Sequence, residues 1–213
     1  MKLLEYKAKE LFEKYDVPTM KGVVIDSLEG IPEKIEGAGL RYPVVVKAQV
    51  QIGGRGKAGG IQFADNAQQA AQISEKLLFA DIRGLKANEL LIVEKASLKT
   101  EWYLSIMLDR QTKGPLLIFS PMGGMDIEET ARTSPDKIAK VPINPLIGIQ
   151  DYTITYALDR TGADKAMHAQ LKSVAQKLYR AFFDYSCMLI EINPLGTNEE
   201  GNLIALDLSL IHI

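Results

Sequence analysis

The chain of 213 residues predicts an α/β protein built as two lobes. Three observations carry that expectation. Two short apolar runs, Val44-Val45-Val46 and Leu90-Leu91-Ile92-Val93, have the length and branching of buried strands. Met167, Leu171, Val174, Ala175, Leu178, Tyr179 and Phe182 recur at helical spacing. Near the end, Thr197-Asn198-Glu199-Glu200-Gly201-Asn202 is a turn between two apolar strands.

The elements follow in order. Leu4, Ala8, Leu11, Phe12 and Tyr15 predict an amphipathic helix over residues 3–15, and Asp16-Val17-Pro18 ends it, since a residue before proline avoids the helical region. Val23-Val24-Ile25 is a short strand, and residues 43–50 form a second one. A helix runs from about Asn66 to Leu78, with Asp65 or Asn66 as its cap. Leu90–Glu94 is the third strand, and strand, helix and strand together give a small α/β lobe over roughly residues 20–95. Residues 101–109 and 115–120 pair around Lys113-Gly114. Residues 121–160, with Pro121, Pro135, Pro142 and Pro145, read as loop-rich. After the long helix, strands at 187–195 and 202–207 close the chain. Lys172, Lys177 and Arg180 mark the helix's solvated face, and His168 is read as a surface residue.

Composition narrows the function. Hydrophobic residues make up 46%, enough for one substantial core or two small ones, and the formal net charge of −2 argues against nucleic acid as the main partner. The single cysteine, Cys187, excludes an internal disulfide and reads as a small buried residue. No apolar run reaches the ~20 residues of a membrane span, and Met1–Lys7 is too charged for a secretory signal. A cytoplasmic protein without a membrane partner is the expectation.

The cations concentrate at one place. Lys47 lies in the second strand, and Gly53-Gly54-Arg55-Gly56-Lys57-Ala58-Gly59-Gly60 follows it. Glycines let backbone N–H groups approach an anion, and Lys47, Arg55 and Lys57 add positive charge, as a polyphosphate site requires. Gly54, Gly56 and Gly59 satisfy the spacing of a dinucleotide fingerprint, but Gly60–Ala64 reads as a strand, not as the helix that fingerprint opens. Ala58 stands where a P-loop needs a hydroxyl. The segment is therefore expected to be a strand–loop–strand lid; the alternative is a plain surface turn.

Hairpin geometry suggests a metal pair. If the last turn centres on Glu200, Asn193 and Asp207 are equidistant from it and oppose one another. Such neighbours have Cβ atoms about 5 Å apart. An amide oxygen and a carboxylate converging there suit magnesium, with phosphate oxygens and waters completing the shell. Glu191 faces the same side as Asn193. The alternative is an ordinary hairpin with polar ends.

Several motifs together resemble the ATP-grasp domain of the succinyl-CoA synthetase (succinate–CoA ligase) β-subunit family. They are Leu4-Glu5-Tyr6-Lys7-Ala8-Lys9-Glu10-Leu11-Phe12, Val46-Lys47 with Gly53–Gly60, Gly123-Gly124-Met125-Asp126-Ile127-Glu128 and Leu189-Ile190-Glu191-Ile192-Asn193-Pro194-Leu195. The resemblance implies an ATP-grasp fold over residues 1–207, with a small lobe of about 20–95 and a large lobe of about 1–19 plus 96–207. It implies that Lys47 binds nucleotide phosphates, that Gly54, Arg55 and Gly56 close over them, and that Glu94 and Glu101 serve the nucleoside. It makes Asn193 and Asp207 magnesium ligands. ATP or GTP is the expected nucleotide. The expected partner is an α subunit whose histidine carries the phosphoryl group, with succinate and CoA handled there and in a further CoA-ligase domain beyond this stretch. Neither His168 nor His212 matches that histidine. A related malate–CoA ligase, a carboxylate–amine ligase, or a non-catalytic nucleotide-binding module are the competing expectations.

The likeness stops at Asp207. Leu208-Ser209-Leu210-Ile211-His212-Ile213 is the translation of CTGTCTCTTATACACATC, a transposon end used in sequencing libraries, so residues 208–213 are expected to be a non-native tail.

Overall fold

The computed structural model describes residues 1–52 and 54–212, so Gly53 of the glycine-rich motif and Ile213 of the expected tail lie outside the described residues. Two compact units emerge. The first takes Lys2–Lys7 and Met20–Ala96; the second takes Met1, Ala8–Thr19 and the chain from Ser97 onward. Helix α1 (Glu5–Lys14) contributes to both. It stops as expected: Asp16 turns to a φ of 55°, and the Val17 N–H returns to the Phe12 carbonyl at 3.1 Å.

The first unit contains β1 (Gly22–Ile25), α2 (Ile31–Gly37), β2 (Val44–Ala48), β3 (Ile61–Ala64), α3 (Ala67–Leu77), β4 (Asp81–Ile82), β5 (Leu85–Lys86) and β6 (Leu90–Glu94). Its sheet has the order β1-β6-β2-β3 with every pair antiparallel. The valine run of β2 is explained by cover on both faces. Val44, Val46 and Ala48 meet Ile25, Leu90, Ile92 and the inner side chains of α2 and α3. Val45 joins Leu91 and Val93 under Tyr6, Met20, Val24 and Ile61. The cap of α3 is Asn66, whose side chain accepts from the Gln69 N–H at 3.0 Å. Helix α2 and the small β4–β5 hairpin escape the sequence reading. Helix α2 is only seven residues long and buries just Ile31 and Ile35, too little to make a periodic signal.

The second unit contains β7 (Thr100–Asp109), β8 (Gly114–Ser120), α4 (Ile127–Thr133), β9 (Ala139–Pro142), α5 (Asp151–Thr161), α6 (His168–Asp184), β10 (Cys187–Thr197), β11 (Leu203–Ala205) and β12 (Leu208–His212). The sheet runs β11-β10-β7-β8-β9, and β12 also pairs with β10. Leu104, Leu117 and Phe119 meet Ile154, Leu158, Leu171 and Ala175, so α5 and α6 pack on one sheet face. The loop-rich stretch 121–160 also carries α4, β9 and most of α5, which the sequence reading did not place. The buried side of α5 is Thr153, Ile154, Ala157, Leu158 and Thr161, so threonine and alanine dilute its apolar period. Two polar residues also differ from expectation. Lys177 is half-buried and donates to the Asp16 carbonyl at 2.8 Å, and the half-buried His168 ring sits 3.1 Å from the Ala163 carbonyl.

The terminal hairpin has the register expected from its turn. Thr197 opposes Leu203, Leu195 opposes Ala205, and Ile192 opposes Leu208, all equidistant from Glu200. Between them the Asn193 N–H donates to the Asp207 carbonyl at 3.0 Å. The peptide bond from Asn193 to Pro194 is cis.

No described helix is long and apolar enough to cross a membrane. Cys187 is buried at 4% exposure, and burial pushes its thiol pKa up to about 11. The native chain should therefore resist iodoacetamide at pH 8. Mass spectrometry should find alkylation only after denaturation, and rapid labelling of the folded protein would contradict this burial.

Candidate functional site

In the first unit the expected strand–loop–strand is present: β2 leads into the glycine-rich segment and β3 returns antiparallel beside it. The loop closes on itself. The Ala48 N–H donates to Gly60 O at 2.7 Å, Gly60 N–H to Arg55 O at 2.9 Å, and Ala58 N–H to the same oxygen at 3.1 Å. A side chain at Gly60 would crowd the Arg55 carbonyl, so glycine is needed for this close approach. Gly54 and Gly56 are exposed, as is Lys57.

The two other cations point inward. Lys47 is 7% exposed and Arg55 8%. One carboxylate, Glu5, holds both. Its Oε1 accepts from Lys47 Nζ at 2.7 Å and its Oε2 accepts from the Arg55 guanidinium. Arg55 also reaches the Ala48 carbonyl at 3.4 Å. Gln49 braces this arrangement, accepting from the Tyr6 N–H and donating to the Lys47 carbonyl, each at 3.1 Å. The Tyr6 hydroxyl donates to Glu89 at 3.0 Å. Glu94 is half-buried at the end of β6 and accepts from the Arg41 N–H at 2.9 Å. A further cation, Arg83, turns at the β4–β5 hairpin and lies against Gly54. Sequence reading assigned no role to Glu5, Arg41 or Arg83. Glu5 stands inside a quoted motif, but its partners are distant in sequence, so only the fold reveals its use.

In the second unit Glu101, Asn193 and Asp207 come to one end of the sheet. Glu101 pairs with Gly196 across β7 and β10. The pairing of β10 with β7 shifts between Ile192 and Leu195, which takes Asn193 out of that ladder. The Asn193 amide instead binds the neighbouring loop: Oδ1 accepts from the Gly124 N–H and Nδ2 donates to the Met125 carbonyl, both at 2.8 Å. Gly124 has a φ of 72°, and any side chain there would strike the Glu101 carboxylate. Burial raises the Tyr103 pKa, and Glu191, two residues before Asn193 on β10, raises it further. Among the described residues no three His, Cys, Asp or Glu side chains cluster as a metal site, and the bond that joins Asn193 to Asp207 is between backbone atoms.

The sequence model of the ATP-grasp domain family matches residues 2–197. The chain is 41% identical over 213 residues to the succinate–CoA ligase [ADP-forming] subunit beta of Chloroflexus aurantiacus, and 39% identical over 211 residues to that of Ignicoccus hospitalis. Each match covers 99% of this chain and 55% of the relative, so the chain spans about half the length of these proteins. Among solved structures, the dinucleotide-forming acetyl-coenzyme A synthetase 1 of Ca. Korarchaeum cryptofilum superposes with a TM-score of 0.74 at 16% identity, over 100% of this chain and 93% of that one. ATP citrate lyase from Methanothrix soehngenii also gives 0.74, at 22% identity, over 98% of this chain and 50% of that one.

The Gly123-Gly124 loop generates a prediction. A Cβ at Gly123 would come within 2.5 Å of the Trp102 carbonyl oxygen, so backbone must move. Gly123→Ala should cost about 2 kcal/mol or more, as strain at a fixed backbone does. Urea unfolding would check it, and a loss below about 0.5 kcal/mol would show that the loop is not held against β7.

Proposed function

The chain belongs to the ATP-grasp domain family, and on that premise we propose that it is the nucleotide-binding part of the β subunit of a succinate–CoA ligase. The overall reaction is ATP + succinate + CoA = ADP + phosphate + succinyl-CoA. The phosphoryl group travels through a histidine of an α subunit, and succinate and CoA are handled by that partner and by a further β-subunit domain. The proposed setting is the cytoplasm. The observation that carries the reading is the hairpin register, which sets the Asn193 amide strand position opposite Asp207 in a chain whose relatives bear that name.

Phosphoryl transfer asks the protein chiefly to position and neutralise charge. Lys47 supplies an ammonium to the phosphates, and the N–H groups of Gly54, Arg55 and Gly56 line the loop over them. Exposed Lys57 adds charge beside that loop. Glu94 and Glu101 accept hydrogen bonds from the nucleoside. Magnesium, held by Asn193 Oδ1 and the Asp207 carboxylate, would offset phosphate charge. The residues fit this ion: both ligands are oxygens, and Asn193 already has its amide fixed by the Gly124 N–H and the Met125 carbonyl.

Calorimetry on this chain tests the reading. ATP should bind only when magnesium is present, and Asn193→Ala and Asp207→Ala should each weaken binding about tenfold or more. Equal affinity in the parent and both variants would remove the metal pair, and no binding by the folded parent would remove the nucleotide assignment for this chain.

A further inference from the structure

We propose that Glu5 is a positioning residue of the nucleotide site: its single carboxylate fixes the Lys47 ammonium and, through Arg55, ties the glycine-rich loop to the strand that carries Lys47. The proposal rests on the reading above, in which Lys47 and this loop meet the phosphates.

The three charges lie in the interior of the first unit. Glu5 is 4% exposed, and the cations it holds are only slightly more so. Buried charges are tolerated when paired and hydrogen-bonded and are costly otherwise. Each oxygen of Glu5 serves one cation, Oε1 for Lys47 and Oε2 for Arg55. The carboxylate is itself well placed, since it opens α1, where free helix N–H groups favour an anion. The next residue is fastened separately, by the bond from the Tyr6 N–H to Gln49. Glu5 therefore has a fixed backbone from which to hold two partners.

Over residues 54–60 Arg55 is the buried side chain, while Gly54, Gly56, Lys57 and Gly59 are exposed. Its carbonyl receives the N–H groups of Ala58 and Gly60. Pinning its guanidinium thus pins the turn. The work divides accordingly: Arg55 anchors from beneath, and the exposed glycine amides and Lys57 face outward. Glu5 touches no phosphate in this scheme and acts through Lys47 and Arg55.

Glu5→Gln keeps the shape but leaves one acceptor oxygen for two cations. In the ligand-free chain, hydrogen exchange at residues 54–60 should rise about tenfold or more, the scale of losing one hydrogen bond to a charged group. Exchange in α3 and β6 should stay as in the parent. Calorimetry should show a similar loss of affinity for inorganic tripolyphosphate and for ATP, with adenosine binding unchanged. A merely structural role would weaken adenosine as well. If Glu5→Gln does not fold, Glu5→Asp keeps the charge and shortens the reach, and should show the same selective loss in milder form. Unchanged loop exchange, or tripolyphosphate binding equal to or tighter than the parent's, would overturn the proposal alone. A folded parent that binds neither ATP nor tripolyphosphate would overturn the nucleotide reading and this proposal with it.

Discussion

The second unit depends on the register of one strand. Strand β10 lies between β7 on one side and β11 with β12 on the other. Side chains alternate across a strand, so a slip of one residue would exchange its two faces. Ile190 and Ile192 are fully buried on one face, and the same alternation brings Glu191 and Asn193 to the other. Core and candidate site are therefore set by a single choice. The irregularity at Asn193-Pro194 adds to this. It interrupts pairing with β7, while single backbone bonds from Asn193 to Asp207 and from Leu206 to Pro194 carry the register to the return strand, and the amide side chain grips the 123–125 loop.

The first unit solves a different problem. Strand β2 is buried at all five positions, yet the fourth is lysine. Four apolar residues make the strand a core element, and the lysine makes it a place where charge must be balanced. The balance is local and shared with a second cation from the loop. Apolar packing holds the strand, while a charge-assisted network decides how the following loop is held. These are separate forces on neighbouring atoms, so Lys47 gains rigidity from the valines and direction from Glu5.

Much of this was legible in the chain. Continuous apolar runs located β2 and β6, helical spacing located α1 and α6, and the turn residues placed Asn193 opposite Asp207. What could not be read depended on contacts distant in sequence. Helix α5 hides its buried face behind threonine and alanine. The inward direction of Arg55 follows from Glu5, which is far away along the chain. Resemblance assigns Glu94 to the nucleoside, and the Arg41 N–H that donates to it is seen only in the fold. For Arg55 and Glu94 the residue type announced a polar role, and the partner that defines the role came from tertiary structure.

The order in which strands are paired bears on how the chain leaves the ribosome. Every strand of the first sheet lies before Ala96, so that sheet can close as soon as this stretch has emerged. In the second sheet β7 must wait for β10, with α4, β9, α5 and α6 synthesised between them. During that interval the β7–β8 hairpin presents Leu104, Ile106, Leu117 and Phe119 without their final cover. Nascent chains with such exposed apolar hairpins are the kind that chaperones engage. Translation speed across residues 110–186 should therefore govern the yield of folded protein more than speed across the first unit does.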